Sequence, residues 1–137
     1  MTAADNESTA RCFVDVCVNR ADPDRLGEFV APSVVVHAAT PGEAADTLGL
    51  VELAGVLRRT RGVFPDLHVT VEDTVAQGDR VALRWTARGT HDAEWAGIPA
   101  TGRRVTYGGI DLYRFEDGRI REWWRNDDFA YLAQQLE

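Results

Sequence analysis

The residues best suited to chemistry lie late in the chain. Asp127 and Asp128 close a tryptophan-rich segment, Trp123-Trp124-Arg125-Asn126, and precede Phe129. A carboxyl group held against aromatic rings loses solvation, which raises its pKa toward neutrality and makes it a usable general acid or base. An aspartate here also suits the N-cap of a helix from Phe129 to Leu136, so one of the pair can cap while the other reacts. Asp111 and Glu122 supply two further carboxylates close to Tyr107 and Tyr113, either as pocket groups or as a rigidifying hydrogen-bonded network. The histidines stand singly at 37, 68 and 91. His91, in Gly89-Thr90-His91-Asp92, and His37, at the end of a valine strand, could each orient a substrate oxygen or be satisfied surface side chains.

Other chemistries lack their residues. There is no His-x-x-x-His, no paired-cysteine spacing, no Gly-x-Gly-x-x-Gly, no Walker loop and no Gly-x-Ser-x-Gly elbow, so neither metal nor cofactor is expected. All fifteen basic residues are arginine, which removes a lysine Schiff base from consideration. Cys12 and Cys17, five apart on a predicted helix, point about 140° away from each other and form neither a bridge nor a ligand pair. A net charge of -7, with 22 acidic against 15 basic residues, speaks against a nucleic-acid partner. No apolar run approaches the roughly 20 residues of a membrane span, and the polar start is unlike a signal peptide, so a cytoplasmic protein without membrane partner is expected.

The elements that must position these groups follow from periodicity. At 137 residues and 45% hydrophobic, the chain fits one domain, 1–137, with residues 1–7 as a disordered tail. Glu7 to Asn19 carries an amphipathic helical stripe. Asp22-Pro23 starts a short second helix to about Val30, and Val34 to His37 read as a strand. A loop over 38–48 leads to a third helix from Gly49 that ends before Phe64-Pro65-Asp66. The period then changes to two, with strands over Leu67 to Thr74, Val81 to His91, Arg104 to Phe115 and Arg119 to Asp127. Helices first and strands second predict an α+β fold with the helices on one face of an antiparallel sheet.

Asp117-Gly118 predicts a two-residue type I′ hairpin. Regular pairing outward from Glu116–Arg119 matches Tyr113 with Glu122, Asp111 with Trp124 and Gly109 with Asn126. One face then holds Tyr107, Asp111, Tyr113, Phe115, Ile120, Glu122, Trp124, Asn126 and Asp128, a mixture of rings and polar groups that suits a buried polar pocket. The other face takes Arg114, Arg119, Arg121, Trp123 and Arg125. Alternation in the preceding strand groups Leu83, Trp85, Ala87, Gly89 and His91, which places His91 at the pocket mouth. Trp123, Arg125 and Arg121, with Arg84 and Arg88, are expected to form a subunit interface on the outer face.

The run Phe64-Pro65-Asp66-Leu67-His68-Val69-Thr70-Val71-Glu72-Asp73, then Gly78-Asp79-Arg80-Val81-Ala82 and Gly89-Thr90-His91, resembles the SnoaL-like polyketide cyclase family of the NTF2-like superfamily. So do Gly97-Ile98-Pro99-Ala100-Thr101-Gly102-Arg103 and Gly109 to Ile120, and Glu122, Trp124, Asp128, Gln134, Gln135 and Leu136 suit its C-terminal pattern. The likeness runs in order over roughly residues 8–136. It implies a cone, a curved antiparallel sheet wrapped around N-terminal helices with a deep pocket, in a homodimer or homotetramer. Family members that close the last ring of aromatic polyketides, in antibiotic biosynthesis, use an aspartate as acid and base of an intramolecular aldol condensation, without cofactor. Counting back from Gln135-Leu136, that aspartate aligns with Asp128, and His91 aligns with the family's Gly-Thr-His histidine.

The expectation is therefore a cofactor-independent cyclase-type enzyme for a small polyketide-like carbonyl compound, by aldol ring closure or isomerisation. Asp128 would be its base, His91, Tyr107 or Tyr113 its oxyanion donor, and Trp85, Trp95 and Trp124 its ring-stacking walls, with His37, Asp111, Glu122 and Asn126 also in the pocket. The alternatives are hydrolase or hydroxylase chemistry on the same fold, or a non-catalytic binding or dimerisation module. Epoxide opening on this fold type needs an Asp-Arg-Asp arrangement in the pocket, and the regular hairpin register puts the late-strand arginines on the opposite face.

Overall fold

The computed structural model describes residues 1–137. Thr2 and Asp5 form a reciprocal capping box, with Asp5 N–H donating to Thr2 Oγ1 at 3.1 Å and Thr2 N–H to Asp5 Oδ2 at 2.9 Å. Helix α1 (Ala3–Phe13) therefore begins earlier than the apolar stripe suggests, and residues 3–7 are helical where polarity suggested a tail. It runs into a π-helical segment, Val14–Asn19, whose terminal carbonyls at Val18 and Asn19 accept from the Arg61 guanidinium. A 3-10 segment, Pro23–Glu28, follows with proline at its start.

Strands β1 (Val30–His37) and β2 (Asp46–Gly49) pair antiparallel, and α2 (Leu50–Val63) follows. Then come β3 (His68–Gln77), β4 (Arg80–Thr90), β5 (Arg104–Glu116), β6 (Arg119–Asp127) and α3 (Phe129–Gln135). The six strands form one sheet in the order β2-β1-β6-β5-β4-β3. Every neighbouring pair is antiparallel except β1 with β6, which the chain brings together only after β2, α2 and three antiparallel strand connections. A continuous core of 25 buried residues joins α1, the π segment and α2 to one sheet face. Bulges at Glu72 in β3 and Arg121 in β6 bend the sheet around them.

Alternation in β4 and β5 is as the sequence predicts. Val81, Leu83, Trp85 and Ala87 face inward from β4, and Val105, Tyr107, Asp111, Tyr113 and Phe115 from β5. Asp117 (φ 52°) and Gly118 (φ 78°) both take positive φ, as a type I′ turn requires. The first hairpin pairs, Glu116–Arg119 and Phe115–Ile120, are those expected.

Beyond them the register departs from regular pairing. Arg121 is skipped, so Arg114 pairs with Glu122, Tyr113 with Trp123, Asp111 with Arg125 and Gly109 with Asp127. One extra residue reverses the faces of everything that follows, since strand side chains have a period of two. Trp123, Arg125 and Asp127 therefore point inward, and Glu122, Trp124 and Asn126 point outward, which corrects the expected faces of Trp123, Arg125, Glu122, Trp124 and Asn126. Contacts to β1 and the residue before it hold the bulge: Ile120 N–H donates to Phe29 O at 2.9 Å and Arg121 Nη1 to Ser33 O at 3.0 Å.

Candidate active site

The inward residues of β4, β5 and β6 enclose a chamber roofed by Val14 and Val18 of the π segment and by Leu57 and Thr60 of α2. The space inside is about 100 Å³, with Trp85, Tyr107, Asp111, Tyr113, Trp123, Arg125 and Asp127 on its walls. It opens past Trp85, Tyr107, Arg125 and Asp127 into an outer vestibule of about 190 Å³, walled by Arg59, Phe64, Trp95 and Phe129. Aromatic contacts stiffen this entrance, with Trp95 5.7 Å from Phe129 and Trp85 edge-on to Tyr107 at 5.7 Å. Gly109 lets the Trp85 indole lie flat against β5. A Cβ at that position would stand 2.7 Å from Trp85 Cζ2 and 2.6 Å from the Asn126 carbonyl oxygen.

Two carboxyl groups of different character share the chamber. Asp111 is 6% exposed, and Tyr113 donates its hydroxyl to Oδ2 at 3.3 Å. Burial, reinforced by the charge of Asp127 and opposed by Arg125, pushes the Asp111 carboxyl up to about 7. Asp127 has a side chain only 5% exposed, and its Oδ2 accepts from Arg125 Nη2 at 2.9 Å. Burial also pushes the Tyr107 phenol up to about 12 and Tyr113 well above its ordinary value, so both are neutral hydroxyl donors near pH 7. Four polar atoms on these walls, Asp111 Oδ1, Asp127 Oδ1, Trp85 Nε1 and Trp123 Nε1, are buried with no hydrogen-bond partner. No group of three or more His, Cys, Asp or Glu side chains converges in a metal-binding arrangement.

The structure thus gathers Trp85, Tyr107, Asp111 and Tyr113 in the chamber and Trp95 in its vestibule, and it places the other predicted residues elsewhere. Asp128 is exposed and caps α3, its Oδ1 accepting from Tyr131 N–H at 3.1 Å. It faces a shallow groove on the outer side of the sheet with Ile110 and Asn126. His91 is fully buried, but its work is local: Nδ1 accepts from Thr101 N–H at 3.2 Å and lies 2.9 Å from Thr101 Oγ1, tying down the loop between β4 and β5. It lines neither chamber nor vestibule. On the outer face His37 stacks on Trp124 at 4.9 Å, and its Nε2 lies 2.6 Å from Glu122 Oε2, while Arg114 Nε donates to Glu122 Oε1 at 3.0 Å.

Trp123 and Arg125 are the site residues that alternation missed, and Asp127 was singled out only as the alternative to Asp128. A signal for them exists in the spacing. Ile120 and Trp123 are three apart with Arg121-Glu122 between, and an odd apolar spacing of this kind within a strand marks a bulge.

The fold that carries this chamber has counterparts among known proteins. No curated protein matches the chain, but solved structures do. IdmH, a candidate polyketide cyclase from Streptomyces antibioticus, is 35% identical over 96% of this chain and 97% of its own, with a TM-score of 0.81. AclR, a candidate hydroxylase from Streptomyces galilaeus, is 27% identical over 98% and 97%, with a TM-score of 0.84. A SnoaL-like polyketide cyclase from Agrobacterium tumefaciens is 26% identical over 100% and 99%, with a TM-score of 0.81. The model of the SnoaL-like polyketide cyclase family matches residues 8–136, nearly the whole curved sheet and its helices, and the chain belongs to that family.

Proposed function

We propose that the protein is a cofactor-independent enzyme that closes a ring in a small polyketide-like carbonyl compound by intramolecular aldol addition. Asp127, rather than its exposed neighbour Asp128, is the base. One observation carries this reading: an Arg125-paired carboxylate and a carboxyl group near pKa 7 occupy one buried aromatic chamber. Two acids whose environments separate their protonation states can work as base and acid in the same turnover.

The Asp127 carboxylate takes a proton from a carbon next to a carbonyl, and the C–H electron pair becomes the enolate double bond. The enolate carbon attacks a second carbonyl carbon of the same molecule, and the resulting alkoxide takes the proton of Asp111. The product is a cyclic β-hydroxyketone, isomeric with the substrate. Return of the proton from Asp127 to Asp111 resets the site. The chamber walls hold a flexible chain folded on itself, which replaces a large part of the entropic barrier.

A suitable test substrate is 2-methyl-2-(3-oxobutyl)cyclohexane-1,3-dione, whose ring closure is followed by chromatography. Asp127→Asn and Asp111→Asn are each expected to lower kcat at least 100-fold while the chain still folds and melts cooperatively. Asp128→Asn keeps a side-chain oxygen for the cap and is expected to leave stability nearly unchanged and kcat within twofold. Full turnover in Asp127→Asn would sink the assignment.

A second reading has its own support. Asp111 sits directly across from Arg125, which binds Asp127, and this gives the chamber the Asp-Arg-Asp arrangement that epoxide opening requires. In that case Asp127 would deprotonate a water while Asp111 protonates the epoxide oxygen. Conversion of styrene oxide to its diol with incorporation of labelled water oxygen, and no reaction with the triketone, would favour it.

A further inference from the structure

The polar and the apolar walls of the chamber come from different elements. Its carboxyl, guanidinium and phenol groups stand on β5 and β6, whereas the π segment and α2 contribute Val14, Val18, Val56, Leu57 and Thr60. A ligand that turns its carbonyl oxygens to the sheet therefore turns its apolar substituents to this roof. Behind the roof, between the π segment and α2, lies a further space of about 170 Å³ beside Cys17, Ala21 and Pro23. Val18, Leu57, Thr60 and Leu67 border both spaces and form the partition between them.

Thr60 is the part of this partition that an entering ligand meets first. Alone among the four residues it also borders the vestibule, so it stands at the junction of all three spaces. It is also the smallest of the four. Its hydroxyl is committed to its own helix, with Oγ1 donating to Val56 O at 3.1 Å. The γ-methyl is the branch left to fill space, and branching at Cβ keeps it stiff, so it does not swing aside for a bulkier ligand.

We propose that Thr60 is a specificity-determining residue: its γ-methyl closes the roof, so the chamber selects carbonyl compounds with a methyl-sized substituent over those with a short alkyl chain. Removing that methyl joins the chamber to the space beside Cys17, and the alkyl chain then lies there. This takes the chamber as the ligand site, as the proposed function does, but it needs neither Asp127 as base nor ring closure.

The test titrates the full chain with 2,2-dimethylcyclohexane-1,3-dione and with 2-methyl-2-propylcyclohexane-1,3-dione, following tryptophan fluorescence. Both are diketones without the second arm that ring closure needs, so only binding is read. Thr60→Ser removes the γ-methyl and keeps the hydroxyl, whereas Thr60→Val keeps the bulk and removes the hydroxyl. Thr60→Ser is expected to shift the ratio of the two Kd values about tenfold in favour of the propyl compound, and Thr60→Val to leave it within about twofold of the wild type. Thr60→Ala, which lacks both groups and suits a helix, is expected to match Thr60→Ser and replaces it if that variant does not fold. An unchanged ratio in Thr60→Ser and Thr60→Ala, a ratio shifted as far in Thr60→Val, or no binding of either diketone would each overturn the proposal. A shifted ratio in a protein that never closes the triketone ring would remove the proposed reaction and leave the role of Thr60 standing. Ring closure with an unchanged ratio would do the reverse.

Discussion

Asp111 shows how a single burial sets both activity and stability. In the unfolded chain its carboxyl ionises near the ordinary aspartate value, whereas in the fold it holds its proton up to about 7. Between those two values the native state binds a proton that the unfolded state has lost, so stability falls as pH rises through that window. At about 1.4 kcal/mol per pH unit, the contribution reaches about 4 kcal/mol of destabilisation by pH 8. Asparagine keeps the shape and cannot ionise. Urea unfolding of Asp111→Asn at pH 5 and pH 8 is expected to show a smaller pH difference than the wild type, with the variant the more stable at pH 8. Identical pH dependence in the two proteins would mean that Asp111 ionises normally. In the proposed reaction the protonated form does the work, so wild-type kcat should decline as pH passes about 7.

At the scale of elements, the site depends on how close β5, β6 and the Trp85 ring can come. Gly109 is where they meet. In Gly109→Ala the new methyl group would overlap the Asn126 carbonyl and the indole at the same time, and only one of these can yield by a side-chain movement. The expected cost is about 1–3 kcal/mol in urea unfolding, together with altered tryptophan fluorescence as Trp85 shifts. An unchanged unfolding midpoint would show that the strands have slack at this point. The same pair of strands shows what could be read from sequence. Val81 to Ala87 and Val105 to Phe115 alternate cleanly, so the inward placement of Trp85, Tyr107, Asp111 and Tyr113 was legible. Asp22-Pro23 and Asp117-Gly118 likewise marked a helix start and a turn through their local backbone demands. The bulge at Arg121 was not legible to simple alternation, because it is held by backbone contacts to Phe29 and Ser33, some 90 residues earlier. That one skipped residue hid Trp123, Arg125 and Asp127 and sent attention to Glu122, Trp124 and Asn126. Asp128 misled for a different reason: a cap and a buried base call for the same residue type, and the chain has two in succession.

At the scale of the whole molecule, the two faces of the sheet differ. Helices α1 and α2 and the π segment bury the inner face, whereas Arg84, Ile110 and Asn126 stand exposed on the outer face of β4, β5 and β6. No helix in the fold is long and apolar enough to cross a membrane. Ile110, near the middle of β5, stands 52% exposed between Arg84 and Asn126 on the neighbouring strands. The family resemblance implies a homodimer or homotetramer, and this face fits an isologous contact, in which the same patch meets its own copy. Trp123 and Arg125, which a regular hairpin would have lent to such a contact, are inside, so a contact on this face would be made by Ile110, Trp124 and the outer arginines. Sedimentation of the wild type is expected at twice the chain mass or more, and Ile110→Asp is expected to shift it to a single chain by burying an unpaired charge in the contact. Since the two faces of a strand alternate, Ile110 has no part in the chamber and the dissociated variant should keep its kcat per chain. A wild type that sediments as a monomer would remove the interface, while a monomeric Ile110→Asp that loses turnover would mean that the partner chain helps to shape the chamber.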